Sequence, residues 1–153
     1  MFATESVRLA ELVQTLKPRL DAIPDEAAAA RPAEGKWSAK EILGHLIDSA
    51  SNNHQRFVRG STENPYVGPG YPQDHMVVMG AWQDTPWRDV VTLWALYNQT
   101  LSRVMARIPE ASANHECRVG SYRSMTLHEL VVDYTDHIEH HVPQIWQAAS
   151  ASG

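Results

Sequence analysis

Tyr134-Thr135-Asp136-His137-Ile138-Glu139-His140-His141-Val142-Pro143-Gln144-Ile145-Trp146, near the C-terminus, is the stretch from which the fold is read. Leu130, Val131, Tyr134, Ile138 and Ile145 recur at steps of three and four, the period of an amphipathic helix. Residues four apart stack on one helical face, so His137 and His141 point the same way. Two imidazoles at that spacing can grip one metal ion. They lie on or beside the apolar stripe, where an unpaired imidazole is costly. His140 sits about 100° from His141 around the axis and cannot easily serve the same ion. For this pair alone, two core-edge histidines with ordinary hydrogen-bond partners are an equal explanation. A third ligand elsewhere decides between them.

Upstream, Thr126-Leu127-His128-Glu129 is a capping box, which opens this last helix. The helix is expected to reach about Ala149, to bend at Pro143, and to fray over residues 150–153. Before it, Thr85-Pro86-Trp87 starts a third long helix, with Thr85 as N-cap and Pro86 at the first helical position. Its apolar face runs from Val90 to Ile108 and stops at Pro109. Residues 110–124 form a connection in which Cys117-Arg118-Val119 and Tyr122 suit a short hairpin about Gly120-Ser121.

Ser38 and Glu41 form a second capping box, opening a helix expected to run to Arg59. Ile42, Leu46, Ser49, Ala50, Asn53 and Phe57 follow one face, and His45 lies within it. Asp48 and Asn52 project on the same side as His45. The first helix spans about Thr4 to Ile23 with Pro18 interrupting it, and Ala27–Ala30 suit one further turn. Between Gly60 and Trp82, glycines and prolines punctuate a long connection whose Tyr, Met, Val and Trp content predicts that it packs down.

Four long amphipathic helices with long connections between the second and third and between the third and fourth predict an all-α four-helix bundle. One domain is expected over residues 1–153. Bundle sites are built from facing helices, so His45 can join His137 and His141. Three histidines leave positions open for water or substrate, the catalytic rather than the closed structural arrangement. A fourth protein ligand such as Asp48 or His75 would reverse that reading.

The net charge of −5, without a basic block, argues against nucleic acid or an anionic membrane as partner. No apolar run suffices for a membrane span, and the N-terminal residues lack the layout of a signal peptide. Cys117 is the only cysteine, which fits a reducing compartment, and a cytoplasmic protein is expected.

The chain resembles the DinB-like superfamily of bacterial four-helix bundles, which includes thiol-dependent S-transferases and isomerases. The resemblance rests on three pieces: Trp37 through Asp48, Tyr71-Pro72-Gln73-Asp74, and Thr126-Leu127 leading to His137 through Ile145. It implies one divalent ion held by His45, His137 and His141, zinc or nickel first, with iron, manganese or copper also compatible. It implies a thiol S-transferase acting on a small molecule with a low-molecular-weight thiol. The alternatives are a metal-dependent hydrolase and a non-enzymatic stress protein that binds a metal or small ligand. Asp48 is the candidate base or hydrogen-bond partner behind a ligand, and His75, Trp82 and Trp146 are candidates for a substrate pocket. His54, His115 and His128 are expected at the surface, and Cys117 is expected to be inert. Exposed Trp and Tyr residues on the outer faces predict a homodimer.

Overall fold

Both capping boxes form, and each starts one of the helices that carry the histidines. The Ser38 hydroxyl accepts from the Glu41 amide at 3.2 Å while the Glu41 carboxylate accepts from the Ser38 amide. Thr126 and Glu129 reciprocate in the same way. The computed structural model describes residues 1–151. Its helices are α1 (Phe2–Asp21), α2 (Asp25–Ala29), α3 (Ala39–Gly60), α4 (Gln73–Met79), α5 (Trp87–Met105) and α6 (Leu127–Ser150). α1 continues past Pro18 and α6 past Pro143. Of residues 150–153, where fraying is expected, Ser150 is the last residue of α6, and Ser152 and Gly153 lie outside the described residues.

The four long helices α1, α3, α5 and α6 form a bundle in which α1 and α3 each pack against both α5 and α6. Successive helices α1 and α3 therefore lie across a diagonal, as do α5 and α6. Side-chain contacts give the directions. Ser6 meets Ser102 at one end and the Trp87 indole reaches the Leu20 carbonyl at the other, so α1 and α5 are antiparallel. Arg8 binds Asp136 and Glu139, and Arg19 lies over Trp146, so α1 and α6 run together. Asp25 holds both Lys40 and the Trp87 amide, which places the starts of α3 and α5 side by side. α3 and α5 are thus parallel neighbours.

Parallel neighbours need a crossover, which accounts for the long second connection. The 22-residue α3 rises about 33 Å, and residues 61–86 must travel back along it. They do so packed down, through β1 (Tyr66–Gly68), α4 and a 3₁₀ turn at Trp82–Asp84. This corrects the expectation of a simply amphipathic α3. Every residue from Ser38 to Ala50 is buried, because the crossover covers the face a bundle helix usually gives to water. Buried Lys40 and Glu41 are met by Asp25 and Arg31. Gly44 permits the closest approach: a Cβ there would lie 2.1 Å from the Trp82 ring.

Three further expectations change. The bundle also carries a small sheet, with β2 (Glu116–Val119) parallel to β1 (Tyr66 opposite Cys117) and antiparallel to β3 (Met125–Thr126). The hairpin loop spans residues 120–124, with Gly120 in the left-handed region at φ 53°. Pro86, not Thr85, is the N-cap of α5: Asp25 supplies the acceptor for the Trp87 amide at 2.7 Å, and the Thr85 hydroxyl turns back to the Ala81 carbonyl. α5 also stops at Met105, short of Ile108.

Candidate metal centre and adjoining cavity

His45 reaches the site from the buried half of α3, and His137 and His141 reach it from α6, which packs beside it. Their ring nitrogens converge. His137 Nε2 lies 3.3 Å from His45 Nε2 and 3.1 Å from His141 Nε2, and the ligand atoms of all three lie within 4.8 Å of one another. Zinc–nitrogen bonds of 2.0–2.1 Å at tetrahedral angles would separate nitrogens by about 3.3–3.4 Å. The three rings fit such an ion with little rearrangement.

Protonation favours the same use. Burial, followed by the neighbouring His141, pushes His45 down to about 4. Burial, followed by His141, His45 and His140, pushes His137 down to about 4. His141 is lowered as well, chiefly by burial. Near neutral pH the imidazoles are therefore uncharged, each with one lone-pair nitrogen. His141 Nδ1 lies 2.8 Å from Gln144 Oε1; with that oxygen accepting from Nδ1–H, the bare nitrogen is Nε2. A proton shared between two Nε2 atoms would satisfy one pair of rings and leave the third facing them, whereas a cation satisfies all three. His45 Nδ1 is buried without a partner, and the Trp37 ring lies tilted 5.1 Å from the His45 ring. Among the described residues no cysteine or carboxylate joins the group, so nothing there closes its coordination.

None of the remaining candidates makes a hydrogen bond to the three histidines. Asp48 is buried one turn beyond His45, but its carboxylate accepts from the Trp82 indole at 3.2 Å, not from a histidine. Burial raises its pKa, partly countered by the indole. His75 is exposed on α4, and Trp146 lies beneath Arg19. None of His75, Trp82 and Trp146 lines the cavity described below. His54, His115 and His128 are half-buried and engaged, with the Tyr97 hydroxyl, the Gly60 carbonyl and the Phe2 ring respectively. Cys117 is buried, and burial with nearby Glu116 pushes its thiol up to about 11, which keeps it protonated.

A cavity of about 660 Å³ opens beside His137. α3 supplies Ser49, Asn53 and Arg56 to its wall, and the crossover supplies Tyr71. The Ser49 hydroxyl sits 3.5 Å from His137 Nδ1. In the sequence Ser49 and Asn53 stand out only as members of a helix face and Tyr71 only as part of a family motif, and Arg56 does not stand out at all. The one available signal was the i, i+4, i+8, i+11 run of His45, Ser49, Asn53 and Arg56 along one helix face.

Fold and geometry together define a four-helix bundle with a candidate three-histidine metal site between two of its helices. The family model of the DinB superfamily matches residues 8–145, and the chain belongs to that superfamily. Among solved structures it is similar to YfiT from Bacillus subtilis, described as a probable metal-dependent hydrolase with an unusual four-helix bundle topology. That match has a TM-score of 0.82 and 16% identity over 99% of this chain and 87% of YfiT. It is also similar to a mycothiol-dependent maleylpyruvate isomerase. The TM-score is 0.69 at 17% identity for that enzyme, and 0.71 at 16% for its histidine-to-alanine mutant. Each isomerase match covers 91% of this chain but 58% of the isomerase. At such identities the likeness concerns the fold. None of the curated proteins matches the chain at a significant level.

Proposed function

We propose that this protein is a divalent-metal-dependent enzyme that transfers a low-molecular-weight thiol to an electrophilic small molecule. The reading is carried by the convergence of three uncharged imidazole nitrogens, with no fourth protein ligand among the described residues, and by the cavity that opens beside one of them, His137. His45, His137 and His141 are the ligands, and zinc or nickel is the preferred ion. When bound, such an ion supplies Lewis acidity that makes a thiol or water acidic near neutral pH.

The side chains do the rest. Gln144 fixes the His141 tautomer, and burial keeps His45 and His137 uncharged, each with one bare ring nitrogen. In the transfer, the thiol gives up its proton, its sulfur forms a bond to electrophilic carbon, and the leaving group departs with the electron pair it shared with that carbon. Asp48, buried one turn from His45 and less acidic than an ordinary carboxylate, is the candidate acceptor of that proton. Cys117 takes no part as a nucleophile.

Hydrolysis is the second reading, favoured by the similarity to YfiT, and water then replaces the thiol. Protein purified without chelator should carry close to one divalent ion per chain, and His45→Ala should carry almost none. A screen of electrophiles with and without added thiol separates the readings: conjugation requires the thiol, hydrolysis does not. Wild-type protein that holds no ion after zinc or nickel loading would end both.

One domain over residues 1–153 and a homodimer complete the proposal. Among the described residues Tyr122 is the one strongly exposed Tyr or Trp, so tryptophans do not support pairing. Leu93 and Leu96, exposed near each other on α5, support it instead. Light scattering should return twice the 17.1 kDa chain mass; a monomer at all concentrations would refute it. A cytoplasmic setting follows from the thiol chemistry, since that compartment keeps small thiols reduced.

A further inference from the structure

Arg56 stands out among the buried charges of α3. It is only 7% exposed, yet among the described residues no carboxylate pairs with it. Lys40 and Glu41 on the same helix both have ion-pair partners. The guanidinium offers five N–H donors. Its acceptors are the Asn53 side-chain oxygen at 3.5 Å and the Pro69 carbonyl at 3.3 Å, both long for a charged donor. Tyr71 presents its ring 5.6 Å from the guanidinium carbon and so holds the plane in place. Arg56 and Tyr71 both line the cavity that reaches His137.

A buried, unpaired positive charge is costly, and a cavity beside it is where the missing anion fits. We propose that Arg56 anchors a carboxylate group of a small organic acid in this cavity, with Tyr71 positioning the guanidinium. A carboxylate matches the planar fork through two parallel hydrogen bonds. One negative charge also suits the wall. Arg123 lies within ion-pair distance of Glu129, and Asp133 adds a negative charge, so a doubly charged phosphate ester would be poorly balanced.

Arg56 is seven residues along α3 from Ser49, level with His137, and eleven from His45, which sets about 10–16 Å between anchor and candidate metal centre. The acid should therefore be elongated, with its reactive end that far from its carboxylate. This last point rests on the enzymatic reading above; the anchoring of the carboxylate does not.

The test is calorimetry on metal-stripped, full-length protein with 4-phenylbutyrate, the neutral isostere 4-phenylbutyramide, and phenyl phosphate. The carboxylate should bind at least tenfold more tightly than the amide and more tightly than the phosphate ester. R56Q should lose at least tenfold for the carboxylate and nothing for the amide, while R56K, without the planar fork, should fall between. R56Q removes an unpaired buried charge and should stay folded by circular dichroism. If it does not, the comparison of acid with amide on wild-type protein decides alone. Equal binding of acid and amide, binding of neither, or tighter binding of the phosphate ester would overturn the proposal. Because no metal is present, loss of the metal reading would leave this result standing, and the converse also holds.

Discussion

Gly44→Ala is expected to destabilise the protein, although alanine is the better helix former. The introduced Cβ would lie 2.1 Å from Cγ, 2.3 Å from Cδ1 and 2.6 Å from Cβ of Trp82, all far inside contact distance. α3 is buried on every side here, so the indole must leave. Truncating a fully buried tryptophan costs about 3–5 kcal/mol, and Trp82 is half-buried, which suggests roughly 2 kcal/mol. Its bond to the Asp48 carboxylate is lost with it, adding about 1–2 kcal/mol. Alanine in mid-helix returns about 1 kcal/mol. The net loss is about 2–3 kcal/mol, a fall in Tm of roughly 4–12 °C for a chain of this size. Differential scanning calorimetry measures it. The second half of the experiment repeats Gly44→Ala in a Trp82→Gly background, where the three nearest atoms are gone. There the sign should reverse, with a gain of up to about 1 kcal/mol. Equal destabilisation in both backgrounds would falsify the account of the crossover seated on α3.

Removal of one ligand should separate metal from fold: His141→Ala should keep its helical circular dichroism, because the apolar stripes are untouched. Zinc at about 1,000 times its dissociation constant should stabilise wild-type protein by about 4 kcal/mol, roughly 8–16 °C in Tm, and the variant hardly at all. An unchanged shift in the variant would place the ion elsewhere. Tyr134→Phe strips the hydroxyl that donates to buried Asn98 at 2.6 Å and should cost about 1–3 kcal/mol in chemical denaturation, with part recovered by adding Asn98→Leu. The Trp87 amide and Lys40 hold the Asp25 carboxyl below its usual range, so its contribution is present above about pH 4 and lost as pH falls through the folded value. Asp25→Asn should flatten that acid limb in urea denaturation scanned by pH; an unchanged limb would show that Asp25 does not cap α5.

What could be read from the sequence was what depends on near neighbours. Ser38 with Glu41 and Thr126 with Glu129 are three residues apart, and their geometry follows from the start of a helix alone. His137 and His141 share a face by helical spacing, and His45 falls opposite them once α3 and α6 pack side by side. The rest depends on segments distant in the chain. Tyr66 pairs with Cys117 across 51 residues, so residues 66–68 have no local strand signal. The cap of α5 comes from Asp25, 62 residues before Trp87. Arg56 could not be told from a surface arginine until Pro69 and Tyr71 folded over it.

The diagonal placement of successive helices has a consequence for how the chain is born. α1 is made before the two long helices it packs against, α5 and α6, so its apolar stripe stays uncovered until α5 has followed it. An up-and-down bundle would let each new helix dock on the one before it. Here the face of α1 must wait for contacts about a hundred residues apart, such as Ser6 with Ser102 and Arg8 with Asp136. Loop closure over such distances slows folding relative to local bundles of equal size. The interval before α5 appears is when the nascent chain most needs a chaperone, and a premature stop anywhere before it would leave α1 without a core to join.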